Sequence, residues 1–534
     1  MEENVVLQKL TTIWPELIML IGALACLIVG LAPRRMIRRT APLVAAVTLG
    51  VAALLVGTEE PTSGVGLAGL VGYLKLAILG VGFILLLVAA HLPEQLKQLR
   101  QAETTHQFDP GNIIRGEVFA FMLFSLTGAM LTAGADDLVW LFLALELTSL
   151  PTYILVSTGR EKITAQESGV KYFFLGAMSA AIFVYGFALI YGATGYTDFA
   201  NIHAAITDGQ SVAWPLLTMG LVLSIIGIGF KIAAVPMQFY AADVYEGAET
   251  SITAFLAFVP KTAGFAALIL LLGLVGWPLG SYKHGDTLIY LLWGLAAVTM
   301  TFGNVLALLQ NNVKRVLAYS SIAHSGYLLV GLIAGPIAAG SQSALSNGIA
   351  AILFYLVAYG LGTIAAFAVL GCLRENGDEA QSFDAISGLV RRRPALAGVL
   401  LLSMLSLIGL PPLIGFFGKI YLIGSVYEAG FSVLVVILVL NSAVSAAYYL
   451  RIASVAFFGR SYDNVESAVA PSRLVGAVVA GVTALLLGLP IGIGSSLANA
   501  AQEAAYHQAE STTSPSTAAS DVAGGGNATD DPAM

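Results

Sequence analysis

The 534 residues are 57% apolar and only 11% charged, with a formal net charge of −7. Soluble domains carry about 25% charged residues, so this composition excludes a soluble enzyme and places the chain in a lipid bilayer. The sequence has neither a G-x-G-x-x-G nor a Walker A motif, and its two cysteines are too few to ligate an iron–sulfur cluster. We therefore expect any redox chemistry to take place in other chains.

Apolar segments long enough to cross about 30 Å of hydrocarbon follow one another along the chain. They begin near residues 15, 41, 67, 114, 136, 167, 213, 252, 286, 314, 344, 396, 429 and 471. The pattern predicts an all-α membrane protein of about fourteen spanning helices. The acidic start (Glu2, Glu3) and the lack of an A-x-A cleavage site indicate that the first segment is a retained helix. The Ser/Thr/Ala/Gly-rich tail, 507–534, is expected to be disordered.

The basic residues predict the orientation. If the N-terminus lies outside, almost all lysines and arginines of the loops fall on the cytoplasmic side, including Lys314 and Arg473, and only Lys9 and Lys283 lie outside. This distribution satisfies the positive-inside rule and favours an even number of helices, with both termini on the outer side.

Several charged residues fall within the apolar segments, where each costs roughly 2.5–3.5 kcal/mol on insertion scales. The principal acidic one is Glu146, and the basic ones are Lys75, Lys171, Lys231, Lys261, Lys419 and Arg451. Arg451 lies near a helix end, where we expect it to snorkel to the interface. Lys75 is compatible with snorkelling or with a buried role.

The remaining four lysines lie well inside their segments and form either structural ion pairs or, as we favour, a proton relay. Lysine suits a relay because burial favours the neutral amine, whereas a nearby carboxylate such as Glu146 favours the ammonium.

Two of these lysines lie beside prolines that interrupt a helix. Pro236 follows Lys231 by five residues, and Pro411 and Pro412 precede Lys419. Proline removes a helical hydrogen bond and clashes with the preceding turn. Broken helices at membrane depth occur where they are buried in protein or line a wet cavity, and in transporters they mark the ion path.

A further polar cluster, QNNVKRVLAYSSIAHSGYLLVG, contains His324. This histidine either forms a hydrogen bond to a neighbour or relays protons between the two interrupted helices. Asp243 and Glu246 follow the first break, in what we expect to be a cytoplasmic loop. They form either a solvated turn or a funnel at the proton entrance.

These motifs resemble the antiporter-like membrane subunits of the proton-pumping NADH:quinone oxidoreductase, respiratory complex I, and most closely the N type. The resemblance spans about residues 110–460 and rests on ELTSLPTYIL, GVKYFFLGA, GFKIAAVPMQFYAADVYEGA, NVKRVLAYSSIAHSGY and LPPLIGFFGKIYL. It implies fourteen helices with two inverted five-helix repeats, in which helices 7 and 12 are discontinuous. The implied divisions are 1–110 for helices 1–3, 111–275 and 286–460 for the repeats, 471–495 for helix 14, and the tail 507–534.

The resemblance also implies roles for individual residues. Those implied in proton translocation are Glu146, Lys171, Lys231, Lys261 and Lys419. Many relatives have histidine where this chain has Gln238, which cannot titrate, so water or Tyr240 would have to replace it in a relay.

The implied function is a subunit of a proton-translocating NADH:quinone oxidoreductase, with no redox catalysis in this chain. The chain itself would bind no cofactor and no metal, because FMN, iron–sulfur clusters and quinone would belong to partner subunits. Its partners would be other antiporter-like subunits and small membrane subunits in the cell inner membrane, with no nucleic acid. Two alternatives remain open: a subunit of a cation/proton antiporter or membrane-bound hydrogenase complex, and a scaffold subunit with an inactive channel.

Overall fold

The computed structural model describes residues 13–57, 67, 69–90, 115–158, 163–208, 212–277, 279, 285–336, 346–375, 378–460, 465–467, 471–489 and 492–505. These residues form a bundle of helices and one small sheet. Lys9, Lys283 and the tail 507–534, for which we made predictions above, lie outside the described residues.

Up to residue 279, the described residues form eleven helices. They are α1 (Trp14–Gly30), α2 (Arg35–Arg38), α3 (Ala41–Val56), α4 (Leu70–Ala89), α5 (Arg115–Ala133), α6 (Leu138–Thr158), α7 (Ile163–Thr194), α8 (Phe199–Asp208), α9 (Trp214–Ile228), α10 (Ala241–Gly247) and α11 (Thr250–Val275).

From residue 285 onward, the part of the chain that the structure describes forms ten helices and the sheet. The helices are α12 (Gly285–Leu308), α13 (Val313–Ala334), α14 (Gly348–Gly371), α15 (Phe383–Ile386), α16 (Leu389–Arg392), α17 (Pro394–Ile408), α18 (Ile414–Glu428), α19 (Ser432–Phe458), α20 (Pro471–Leu486) and α21 (Ile493–Ala504). In the sheet, β1 (Leu373–Glu375) pairs antiparallel with both β2 (Asp378–Glu379) and β3 (Val465–Ser467). The apolar pattern predicted neither the sheet nor the amphipathic helices α8 and α21.

Each of the fourteen apolar segments contains a helix, as predicted. Among the described residues, ten helices are long and apolar enough to cross a membrane, and α1, α9, α17 and α20 are shorter apolar helices. The all-helical membrane architecture is confirmed, whereas the number of crossings and the boundaries of the two repeats stay predictions.

Local sequence explains where several helices begin. Proline is favoured in the first turn because its missing N–H has no helical acceptor there. The helices α1, α3, α9 and α17 all have proline at one of their first two positions. Asn312 and Asn347 cap α13 and α14 by accepting hydrogen bonds from backbone N–H groups of the first turn.

The centre of the bundle is formed by α11 and α14, which are buried along their whole length. They pack against each other, and α4, α5 and α6 surround α11. Large apolar side chains such as Ile28, Leu54 and Phe174 are exposed on the outer helices, as expected of surfaces that face lipid or other chains. The helix that carries Lys261 therefore runs through the middle of the protein.

Both predicted helix breaks are confirmed. Between α9 and α10, residues 229–240 form turns, and Pro236 lies in this break. Ala233 there has a φ of 55°, a left-handed conformation that costs an alanine about 1–2 kcal/mol. Between α17 and α18, residues 409–413 form the second break, which contains Pro411 and Pro412.

Candidate functional site

The first break presents Lys231 to a carboxylate. Lys231 is 3% exposed, and its Nζ lies 3.1 Å from Oε1 of Glu146 on α6. Nζ also donates a hydrogen bond to Oγ of Ser149, one turn further along α6, at 2.5 Å. The ring of Phe183 lies 5.8 Å from the ammonium. The expected pairing of Glu146 with one of the buried lysines is therefore seen with Lys231.

Lys261 lies on α11, in the centre of the bundle. It is 2% exposed, and its Nζ donates to the carbonyl of Ser321 and, at 2.8 Å, to Oγ of Ser325 on α13. The hydroxyl of Ser325 in turn donates to the carbonyl of Ile232 in the first break. One serine thus connects Lys261 to the residue that follows Lys231.

Lys419 lies beside the second break, on α18. It is 5% exposed, and its Nζ donates at 2.8 Å to the carbonyl of Ile408 and at 2.8 Å to Oγ of Ser442 on α19. Ile408 is the last residue of α17, whose terminal carbonyls have no acceptor role within the helix. The end of a helix also favours a positive charge through the helix dipole, so the break itself creates a site for this lysine.

His324 lies between Lys261 and Lys419. Its Nδ1 lies 2.7 Å from the hydroxyl of Tyr355 and its Nε2 lies 2.8 Å from that of Tyr449. The hydrogen-bonded and the relay interpretations of His324 are both compatible with this arrangement, because each ring nitrogen faces a group that both donates and accepts.

Aromatic rings complete the connection between these two lysines. Nζ of Lys261 lies 5.1 Å from the ring of Tyr359, which lies 4.8 Å from the His324 ring. The His324 ring lies 5.5 Å from that of Tyr327, which lies 5.1 Å from Nζ of Lys419. The site is therefore a continuous line of polar and aromatic side chains through the buried centre of the bundle.

The first break also holds Tyr240 and Gln238. The hydroxyl of Tyr240 donates at 2.8 Å to the carbonyl of Phe230, and its ring stacks on Tyr172. Gln238 is 3% exposed, and its Oε1 has no hydrogen-bond partner among the described residues. The tyrosine hydroxyl thus bonds to the backbone directly before Lys231, whereas the glutamine oxygen is free to accept.

Three charged residues lie near this break. The Lys171 side chain is 43% exposed and pairs with Glu167 at 2.8 Å and Asp243 at 3.0 Å, as in the ion-pair alternative, and its role in proton translocation stays a prediction. The expected position of the other two, Asp243 and Glu246, is wrong. Asp243 and Glu246 do not lie in a loop but on α10, and both bind Arg315 of α13, at 2.9 and 2.8 Å. Lys171 therefore belongs to a partly exposed ionic cluster that joins α7, α10 and α13.

Sequence reasoning also missed three buried ion pairs. Lys75 lies 3.0 Å from Glu16, so this lysine has the buried role rather than the snorkelling one. Lys314 and Arg473, which we placed in cytoplasmic loops, lie in the first turns of α13 and α20 and are fully buried. They pair with Glu379 at 3.0 Å and Glu249 at 3.2 Å, respectively. Arg451 bonds to the backbone of Gln310 and stacks on Phe383.

This chain has two discontinuous helices in a helical membrane protein, with buried lysines beside both breaks. These features are typical of antiporter-like proteins of the ion-translocating class. The chain belongs to the family whose model is described as NADH:quinone oxidoreductase/Mrp antiporter, TM, which matches residues 135–445.

The similar proteins include relatives named subunit N of NADH-quinone oxidoreductase. The protein from Trichlorobacter lovleyi is 43% identical over 367 residues, which cover 68% of this chain and 72% of the relative. The protein from Sorangium cellulosum, named subunit N 1, is 42% identical over 384 residues, which cover 70% of each chain.

Solved structures agree with the family. A chain of respiratory complex I from Thermus thermophilus with bound aureothin superposes with a TM-score of 0.71 at 30% identity, covering 90% of this chain and 98% of that chain. A chain of the Mrp complex from Dietzia superposes with a TM-score of 0.72 at 20% identity, covering 93% of this chain and 97% of that one, and shares the fold.

Proposed function

We propose that the chain is a proton-translocating membrane-arm subunit of an NADH:quinone oxidoreductase. The observation that carries the proposal is the buried Glu146–Lys231 ion pair in the first break, continuous with Lys261 and Lys419. In this proposal FMN, iron–sulfur clusters and quinone belong to partner subunits, and this chain binds no cofactor. Its partners are other antiporter-like and small subunits of the membrane arm.

The geometry supports a relay in which charge separation drives proton movement. Glu146 stabilises the ammonium of the buried Lys231. When the carboxylate moves away, the ammonium loses this stabilisation and gives up a proton, and when the carboxylate returns the amine regains one. Ser325 binds both Lys261 and the backbone of the break, and the rings of Tyr359, His324 and Tyr327 lie between Lys261 and Lys419.

For the location we propose the cell inner membrane, with both termini on the periplasmic side. The support is the distribution of basic residues among the loops, which follows the positive-inside rule only in this orientation.

Replacing Lys231 tests the proposal, and Lys75 offers a matched control. Both lysines are buried and paired with a glutamate, at 3.1 and 3.0 Å, but Lys75 lies outside the line of lysines. We expect Lys231→Met to abolish NADH-driven proton uptake into inverted membrane vesicles, whereas Lys75→Met leaves the uptake per NADH oxidised unchanged in the assembled complex.

Assembly is measured on a native gel stained for NADH dehydrogenase activity, with co-migrating subunits identified by mass spectrometry. Normal proton uptake by assembled Lys231→Met would contradict the proposal. Co-migration with small membrane subunits alone, without activity, would favour the antiporter alternative, for which sodium transport is the next assay.

A further inference from the structure

Each of the three buried lysines in the line is bound by a serine from a neighbouring helix. The pairs, from lysine Nζ to serine Oγ, are Lys231 with Ser149 at 2.5 Å, Lys261 with Ser325 at 2.8 Å, and Lys419 with Ser442 at 2.8 Å. The three serines lie on α6, α13 and α19, whereas the lysines lie in the first break, on α11 and on α18. The same contact therefore occurs at three separate places in the bundle.

Each lysine also donates a hydrogen bond to a second oxygen, which is not a hydroxyl. It is the carboxylate of Glu146 for Lys231, the carbonyl of Ser321 for Lys261 and the carbonyl of Ile408 for Lys419. Carbonyl and carboxylate oxygens only accept hydrogen bonds, whereas a hydroxyl both accepts and donates. The serine is thus the one partner at each lysine that fits either charge state: it accepts from an ammonium and donates to the lone pair of a neutral amine.

The hydroxyl hydrogens of two of the serines bond to backbone carbonyls. Ser149 donates to the carbonyl of Leu145 at 2.9 Å, and Ser325 donates to the carbonyls of Ile232 and, at 3.3 Å, Ser321. While the lysine is charged, the hydroxyl hydrogen therefore bonds to a backbone carbonyl. A rotation about the Cβ–Oγ bond redirects it to the lysine nitrogen once that nitrogen is neutral.

We propose that Ser149, Ser325 and Ser442 are positioning residues that keep each lysine nitrogen hydrogen-bonded, and so held in place, in both its charged and its neutral state. The inference rests on the proposed proton translocation. Each serine keeps its own proton throughout, so its role is to position the lysine and not to carry the transferred proton. Without the hydroxyl, the ammonium loses one of its two acceptors and the neutral amine is left buried without a donor, which is costly in a buried site.

Ser149 and Ser224 form a matched pair for the test. Both are buried, and both donate to the carbonyl four residues earlier, at 2.9 and 2.7 Å, but only Ser149 also binds a lysine. We expect Ser149→Ala to lower the proton uptake per NADH oxidised by about tenfold in inverted vesicles. Ser149→Thr, which keeps the hydroxyl, should restore it to within about twofold, and Ser224→Ala should leave it unchanged.

The inference is overturned if assembled Ser149→Ala takes up protons at the wild-type ratio, or if Ser149→Thr is as impaired as Ser149→Ala. Should Ser149→Ala fail to assemble, the half-buried Ser442 decides the question, with Ser442→Ala and Ser442→Thr measured in the same way. Lys231→Met in the same assay separates the two proposals. Normal proton uptake by Lys231→Met contradicts the proposed function. Loss of uptake by Lys231→Met, together with normal uptake by the serine variants, contradicts only the role of the serines.

Discussion

Replacing Glu146 with glutamine removes the counter-charge of Lys231 and preserves the size of the side chain. The two charged atoms lie 3.1 Å apart, for which Coulomb's law at an effective dielectric constant of about 20 gives about 5 kcal/mol. Removing one partner of a buried pair costs about 3–5 kcal/mol in proteins. Because the Glu146 side chain is 18% exposed, we take the lower end of this range. About 3 kcal/mol corresponds to about a hundredfold slower proton movement through Lys231.

Inverted membrane vesicles provide the assay, in which proton uptake is divided by the rate of NADH oxidation. Glu16→Gln is the matched control because it removes the counter-charge of Lys75 at 3.0 Å. We expect Glu146→Gln to lose uptake and Glu16→Gln to keep the wild-type ratio while lowering the thermal stability of the complex. Wild-type uptake by Glu146→Gln, or equal loss by both variants at full assembly, would refute the assignment of Glu146 to the proton path.

Three further predictions concern other parts of the molecule. Lys419→Met should abolish proton uptake in the same vesicles, whereas replacing the exposed Arg451 of α19 with methionine should not. Equal uptake by the two variants would contradict the role of the second break. Glu379→Gln should destabilise the complex by about 3 kcal/mol in a thermal-unfolding assay, because this carboxylate binds Lys314 and caps α11 at Thr250. Asn347→Ala should cost about 1 kcal/mol in that assay through loss of the α14 cap, with unchanged uptake per NADH.

The helices, both breaks and the buried lysines beside them could be predicted, because long apolar runs, proline and isolated charge are local features of a sequence. The serines that bind these lysines could not be predicted. Ser149 and Ser224 each bond to the carbonyl one turn earlier, as serines in membrane helices commonly do. Only the packing of a neighbouring helix distinguishes the serine that also binds a lysine from the one that does not.

The burial of Lys171, Lys314 and Arg473 could not be predicted for the same reason, since position along the sequence is a poor guide to burial. Lys171 lies in the third turn of α7, on a face that no other part of the described chain covers completely. Lys314 and Arg473 lie at helix ends, but the ends of several helices converge there and enclose both side chains. Burial at a helix end depends on what packs over it, which is a tertiary property.

Arg473 binds groups at three helix ends that are synthesised before it. This side chain, 1% exposed, donates to the carbonyls of Val88 at the end of α4 and Gly371 at the end of α14, and binds Glu249 directly before α11. Three helix ends, made early, midway and late in translation, therefore share a cation that emerges from the ribosome after all of them. These contacts form only once α20 has been made, so a chain truncated before residue 471 lacks the cation that joins the three helix ends.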